Sequence, residues 1–152
     1  MKAKAATRIS VAAIILAALL SFAPAYAAGG SVVGDWYGVG QPDDKDMAYL
    51  DHIKANGTYV SEFEVCKGKK TEHHIESGTW SSSPDITRVI TTAIDGHGVS
   101  FQFDYAMVSN DGKTWSYSIA AAEPENPTVI GYLFTARRVS PDFRMPGCLQ
   151  IS

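Results

Sequence analysis

Side chains alternate between apolar and polar along much of the chain beyond residue 30, and this period of two most constrains the fold. In 98–108, the odd positions are apolar or aromatic, whereas Ser100, Gln102 and Asp104 occupy even positions between them. Such alternation places successive side chains on opposite faces of an extended strand. Trp115, Tyr117 and Ile119 repeat the pattern in a later segment. The sequence therefore predicts antiparallel strands with one apolar face, and helical periodicity is almost absent.

Turn-forming residues recur at short, even intervals and divide the chain into about eight strands. They include Asn56-Gly57, Asp95-Gly96 and Asn110-Asp111-Gly112, which favour tight turns because Gly, Asn and Asp tolerate positive φ. The predicted strands are 32–40, 46–54, 58–66, 71–82, 86–95, 98–108, 113–121 and 129–139. An eight-stranded meander removes its exposed edges by closing into an up-and-down barrel. We therefore predict an all-β protein, an antiparallel barrel whose lumen is filled by side chains or holds one small ligand.

The start of the chain has the three parts of a secretory signal peptide. Lys2, Lys4 and Arg8 give a positive beginning without acidic residues, residues 9–20 are apolar, and Ala25-Tyr26-Ala27 is a small-x-small cleavage site. We therefore expect export to the periplasm or the extracellular medium.

This cleavage site divides the chain into two parts. Residues 1–27 are expected to be the signal peptide, and residues 28–152 a single barrel domain without repeats. No cysteine stands at the cleavage site, so no lipid anchor is expected.

Charge and hydropathy limit the classes of partner. Removal of the three signal-peptide cations takes the formal net charge from −3 to −6. An acidic protein is a poor ligand for nucleic acid or an anionic membrane surface. No later run approaches the ~20 apolar residues of a membrane-spanning helix. We expect no nucleic-acid partner and no membrane span, and the oligomeric state is left open.

Two cysteines, Cys66 and Cys148, are the only ones in the chain. Disulfides persist in the compartments reached by exported proteins. We predict one bridge between them, which would close a loop of roughly 80 residues and stabilise the fold by about 4 kcal/mol. The bridge would also hold the tail 140–152, which contains Pro141 and Pro146.

The second hairpin decides the position of a carboxylate. If 55–57 is a three-residue loop, Tyr49 and Asp51 share the inner face with Tyr59 and Ser61. A two-residue loop would turn Asp51 outward. A buried carboxylate must be hydrogen-bonded, hydrated or neutralised, and Ser61 is a possible donor directly opposite. We favour the inward arrangement and keep the outward one as the alternative.

The aromatic residues on the inner face suggest a binding lumen. As a packed core they would merely fill the barrel, whereas as a lining they resemble a small-molecule pocket with a few polar groups. A continuous cavity of about 300 Å³ or more would favour the binding role. The candidate ligand-binding residues are Tyr49, Asp51, Tyr59, Ser61, Phe63, Phe103, Tyr105, Trp115 and Tyr117.

Catalytic and metal-binding motifs are not apparent in the sequence. It contains neither a Gly-x-Ser-x-Gly nucleophile turn nor a phosphate-binding glycine loop. His73 and His74 are adjacent on a strand and point to opposite faces, so they do not chelate one ion. His74 and Glu76 share a face, which we expect to be the solvated outer one. The alternative is a three-ligand surface site of zinc type, in which His52 joins them from a neighbouring strand. We therefore expect no catalytic residues, no metal and no cofactor.

The first and last strands carry a resemblance to a known superfamily. Gly34-Asp35-Trp36 opens the first strand and Arg137-Arg138 closes the last, and this combination resembles the calycins, which include the lipocalins and small bacterial lipocalin-like domains. Phe103-Asp104-Tyr105 is similar to a second short motif of that family. The resemblance implies that Trp36 plugs one barrel end beneath an arginine, whose cation–π contact contributes about 1 kcal/mol. It also implies a disulfide from a mid-barrel strand to the tail.

The resemblance implies an exported carrier that binds a small hydrophobic or amphipathic molecule in its lumen without catalysis. The opening strand also resembles that of nitrobindin-type haem barrels. Those place their haem-ligating histidine late in the chain, whereas the last histidine here is His97, so haem is not expected. The alternative is a periplasmic protein-interaction barrel of lysozyme-inhibitor type with a filled core, because Ser77-Gly78-Thr79-Trp80 resembles the Ser-Gly-x-x-Tyr loop of those proteins.

Overall fold

A computed structural model describes residues 31–43, 45–68 and 70–147 of the chain. The predicted signal peptide and Cys148 lie outside these residues, so export and the disulfide stay predictions. Within the described ranges, no helix has the length and hydropathy needed to cross a membrane.

The described chain forms one closed barrel, which confirms the predicted all-β class and up-and-down topology. Each strand pairs antiparallel with the next, and the first pairs with the last. The strands are β1 (Gly34–Val39), β2 (Ala48–Ile53), β3 (Thr58–Lys67), β4 (Lys70–Ser82), β5 (Ile86–Ile94), β6 (His97–Asn110), β7 (Thr114–Glu123) and β8 (Leu133–Val139).

The last strand begins four residues later than the sequence predicted. Residues 127–131 form turns instead, in which the N–H of Val129 donates to Asn126 O at 3.3 Å and the N–H of Tyr132 donates to Val129 O at 3.1 Å. Gly131 has a φ of 83°, a conformation that a strand does not use. The Gly131 N–H still donates to Ile119 O at 2.8 Å, and the Ile119 N–H donates to Tyr132 O at 3.2 Å. The segment therefore stays bonded to β7, but the regular ladder starts only at Leu133.

The second hairpin has the three-residue loop that turns Asp51 inward. The N–H of Lys54 donates to Thr58 O at 2.9 Å, and Gly57 has a φ of 82°. Asp51 consequently stands opposite Ser61 in the register of β2 and β3. Both side chains lie on the inner face, and the outward alternative is excluded.

Two indoles close the barrel at the end where β1 begins. Trp36 is fully buried, and its Nε1–H donates to the carbonyl of Val32 at 2.7 Å. Its ring meets Trp115 edge to face, with the ring centroids 5.7 Å apart. Edge-to-face aromatic pairs add to the free energy gained from burial alone. Trp36 and Trp115 therefore form the floor of the lumen.

One of the two terminal arginines covers this floor from outside. The Cζ atom of Arg138 lies 4.4 Å from the Trp36 ring centroid. In the register, Arg138 stands opposite Trp36 and Arg137 stands opposite Tyr37. Since neighbouring residues of a strand point to opposite faces, only Arg138 reaches the indole, while Arg137 lies over the Tyr37 ring.

Arg138 also joins separate segments of backbone. Its guanidinium donates to the carbonyls of Ser31, Val33 and Gly112 at 2.7, 3.0 and 2.7 Å. Gly34 leaves room for this arrangement, because a Cβ there would lie 2.3 Å from Nη1 of Arg138. Its φ of 139° also disfavours any other residue. Gly34 is therefore needed for both space and backbone conformation.

The segment after β8 packs across the outside of the barrel. The Phe143 ring lies 5.0 Å from the Tyr37 ring, centroid to centroid, and Arg137 Cζ lies 4.9 Å from the Phe143 centroid. Further on, the N–H of Gly147 donates to Oε2 of Glu64 at 3.0 Å. The tail thus crosses from β1 to β3.

Gly34→Ala is expected to lower the free energy of unfolding by about 2 kcal/mol or more, because the backbone is strained and Arg138 is displaced. Gly98→Ala is the matched control, since no heavy atom lies within 4 Å of its added Cβ and a change within about 0.5 kcal/mol is expected there. Urea denaturation measures both. Equal losses in the two variants would contradict the role given to Gly34.

Candidate functional site

The lumen contains two adjoining chambers. The inner chamber, of about 70 Å³, reaches down to Trp115. The outer chamber, of about 370 Å³, is lined by loop residues such as Pro42 and Asn126 at the opposite end of the barrel. Phe103 and Tyr105 line both chambers. The lumen is therefore a cup, with a floor of tryptophan and a mouth between loops.

All nine residues singled out from the sequence lie on the wall of the inner chamber. They are Tyr49, Asp51, Tyr59, Ser61, Phe63, Phe103, Tyr105, Trp115 and Tyr117. They come from β2, β3, β6 and β7, whose inner faces share the barrel interior. The structure thus brings them together in one place.

One side of the lumen is an aromatic wall, which we define as Phe103, Tyr105, Tyr117 and Phe134. Tyr117 and Phe134 stack with centroids 5.0 Å apart, and Tyr105 meets Tyr117 edge to face at 5.2 Å. Phe103 stacks on Tyr105 at 6.0 Å. These contacts fix the rings relative to one another, so the wall is a preformed apolar surface.

The other side is an acidic wall, which we define as Asp51, Ser61 and Glu76. Ser61 stands opposite both carboxylates in the register, Asp51 on β2 and Glu76 on β4. The Ser61 hydroxyl donates to Oδ1 of Asp51. The Thr91 hydroxyl lies 3.5 Å from Oε2 of Glu76, and 2.5 Å from the hydroxyl of Tyr59. Three adjacent strands therefore present two carboxylates in one row.

Burial affects both carboxyls of the acidic wall. It raises the pKa of Asp51 to about 6, although the hydrogen bond from Ser61 and the nearby His52 act in the opposite direction. Burial also raises the pKa of Glu76, and the charge of Asp51 raises it further. Each carboxyl is thus removed from bulk water, while its surface still borders the lumen.

The two walls face each other across the lumen. The acidic wall lies on β2, β3 and β4 and the aromatic wall on β6, β7 and β8, which are opposite in a closed barrel of eight strands. The pKa of Tyr105 is raised well above its usual range by burial, and also by the charges of Asp51 and Glu76. Tyr105, Asp51 and Glu76 all line the inner chamber, so the phenol and the two carboxylates border the same space.

Sequence reasoning missed Glu76 and Thr91, and it wrongly placed both His74 and Glu76 on the outer face. His74 stands opposite Phe63 and lines the outer chamber. A signal was present in the β3–β4 hairpin. A two-residue turn pairs Lys67 with Lys70, and counting back along both strands then sets Ser61 opposite Glu76. Since opposite residues share a face, the inward position of Ser61 implies the inward position of Glu76.

The histidines do not assemble a metal site with these acids. His52 lies on the outer face, where its Nδ1 is 2.5 Å from Oδ1 of Asp35. His74 instead pairs with Asp95, with Nδ1 and Oδ2 2.7 Å apart. Within 31–43, 45–68 and 70–147, no group of three His, Cys, Asp or Glu side chains is placed to hold a metal ion.

Comparison with known proteins gives no relative for this chain: no family model, no curated protein and no solved structure matches it.

Asp51→Asn is expected to raise the free energy of unfolding by about 1–3 kcal/mol at about pH 8. The pKa of Asp51 is higher in the folded chain, at about 6, than its ordinary value of 3.8. Folding therefore favours the protonated form, and wild-type stability falls as the pH rises through 6. The advantage of the variant should vanish near pH ~4, where both side chains are neutral. Urea denaturation across this pH range measures the difference.

Asp104→Asn is the matched control on the outer face. Hydrogen bonds from Arg88, at 2.7 Å to each oxygen, lower the pKa of Asp104. Asp104→Asn should therefore lower the free energy of unfolding near neutral pH, whereas Asp51→Asn should raise it. A loss of stability in Asp51→Asn at about pH 8 would contradict the destabilising burial of that carboxylate.

Proposed function

We propose that this chain is an exported, lipocalin-like barrel of the calycin type that binds a small hydrophobic or amphipathic molecule in its lumen and catalyses no reaction. One observation carries the proposal: the lumen opens at one end into a chamber of about 370 Å³ that adjoins an aromatic wall. Ligand pockets of small molecules have such volumes and such linings.

The calycin assignment rests on the closed end of the barrel. Gly34, Trp36 and Arg138 stand together there, with the guanidinium over the indole and the glycine giving it room. This is the contact that the resemblance implied. An eight-stranded up-and-down barrel is also the architecture of that superfamily.

The alternative is a protein-interaction barrel with a filled core. A filled core leaves no space for a chamber as large as the outer one. The segment Ser77-Gly78-Thr79-Trp80, which suggested that class, lies inside β4 and not in a loop. The register of β4 and β5 shifts between Ser77 and Gly78. Gly78 therefore belongs to an irregularity of the strand pairing and not to a binding loop. These observations favour the carrier.

Val65→Trp is expected to weaken the binding of a neutral apolar probe by about ten-fold or more, because the indole would occupy the outer chamber. Naphthylethanol is a suitable probe, and its intrinsic fluorescence reports binding. Val65 lines this chamber. Val108→Trp makes the same substitution on the outside, at a residue that is 58% exposed, and should leave the affinity unchanged.

Two results would overturn the carrier proposal. The first is a folded wild-type protein that binds no apolar probe, whether neutral or charged. The second is binding that Val65→Trp and Val108→Trp weaken equally, since this would place the probe outside the lumen.

Export and the disulfide are tested together. The N–H of Gly147 bonds to Glu64, and Cys66 follows Glu64 by two residues on the same strand face, so the tail is held close to the predicted position of the bridge. We expect thiol titration of denatured, non-reduced protein from an oxidising compartment to find no thiol, and reduction to lower the Tm by several degrees. Two thiols per chain would contradict the bridge.

A further inference from the structure

The lumen contains negative charge that its own lining does not balance. Asp51 and Glu76 both line the inner chamber, and no Lys, Arg or His is among the described residues that line it. In the outer chamber the described lining has one such residue, His74, whose Nδ1 already lies 2.7 Å from Asp95. A buried carboxylate without a cation costs free energy. The lining therefore lacks a positive charge that a ligand can supply.

The hydrogen bonds within the acidic wall leave acceptor capacity free. A carboxylate has about four lone-pair positions on its two oxygens. Asp51 accepts from Ser61, and Glu76 has the Thr91 hydroxyl at 3.5 Å. Hydroxyl groups satisfy part of this capacity without neutralising the charge. The remaining lone pairs can accept N–H donors from a molecule inside the inner chamber.

The aromatic wall, on the opposite side of the lumen, also favours a positively charged ligand. The faces of Tyr and Phe rings carry negative electrostatic potential and attract organic cations within about 6 Å, most strongly where water is excluded. The aromatic wall presents Tyr105 and Tyr117, whose burial raises the pKa of each phenol, so both stay neutral. A cation between the two walls thus meets carboxylates on one side and ring faces on the other.

From this arrangement we propose that the ligand is an organic ammonium, an amine with an apolar body, whose nitrogen lies between Asp51 and Glu76. The proposal rests on the proposed carrier function and adds the chemical class of the ligand. The apolar body extends toward the mouth of the barrel, where Met47, Val65 and Val129 line the outer chamber. An anionic ligand such as a fatty acid would face two carboxylates and is disfavoured.

The test compares three ligands with the same ring and different charges. Naphthylethylamine, naphthylethanol and naphthylacetate are titrated calorimetrically into the purified protein at about pH 8, which lies above the pKa of about 6 of Asp51. The amine should bind at least about ten-fold more tightly than the alcohol, which corresponds to about 1.4 kcal/mol. The acid should bind more weakly than the alcohol.

Variants of the two lumen carboxylates then test whether these residues cause the preference for the amine. Glu76→Gln and Asp51→Asn should each reduce the affinity for the amine by a larger factor than the affinity for the alcohol. Glu62→Gln is the matched control, because Glu62 lies on the outer face near His52, with Oε1 3.3 Å from Nε2, and it should change neither affinity. The two lumen variants are independent, so either one suffices if the other fails to fold.

The outcomes separate the two proposals. If the alcohol and the amine bind equally, or if Glu62→Gln reduces amine binding as much as Glu76→Gln does, the ammonium proposal is overturned and the carrier function stands. If none of the three compounds binds to the folded protein, the carrier function falls and the ammonium proposal falls with it.

Discussion

The guanidinium of Arg138 lies over the indole of Trp36, and this contact joins parts of the chain that are far apart in sequence. It links β1 to β8 where the barrel closes. The same side chain donates to Ser31, Val33 and Gly112, so it also holds the segment before β1 and the turn before β7. With this end closed by packed indoles, the interior can remain partly empty toward the mouth. The lumen depends on a well-packed floor, because empty space elsewhere in the barrel costs packing energy.

The two walls of the lumen have opposite energetic effects on the fold. Phe103, Tyr105, Tyr117 and Phe134 bury apolar surface and contact one another, which stabilises the barrel. Asp51 and Glu76 are partly removed from water, and burial raises the pKa of both. A sequence selected for stability alone would place apolar residues in those two positions. A pair of carboxylates that costs stability and borders a cavity is typical of a binding site, where local stability is exchanged for recognition.

The strand pattern and turn residues predicted much of the fold and part of the site. The nine lining residues followed from alternation, because a period of two assigns faces within any one strand. Glu76 was missed because its predicted strand, 71–82, has polar residues on both faces. Alternation therefore did not indicate which face points into the barrel. Phe134 lies in a predicted strand but was not recognised as part of the lining, since the consecutive apolar residues Tyr132, Leu133 and Phe134 interrupt the alternation. The predicted start of β8 was wrong because residues 127–131 form turns in which Gly131 has a positive φ, a conformation that a strand does not use.

By itself, the sequence determined the strand class, the approximate strand bounds and the residues able to occupy an apolar face, because these depend on local periodicity and turn chemistry. Only the tertiary structure decided that Asp51 faces Ser61 across one hairpin and that Ser61 faces Glu76 across the next. It alone decided that Arg138, and not Arg137, covers Trp36. Those pairings depend on register between strands and on closure of β1 against β8. A shift of one residue in the register moves every side chain of a strand to the other face of the sheet. No single strand contains the information that fixes the register.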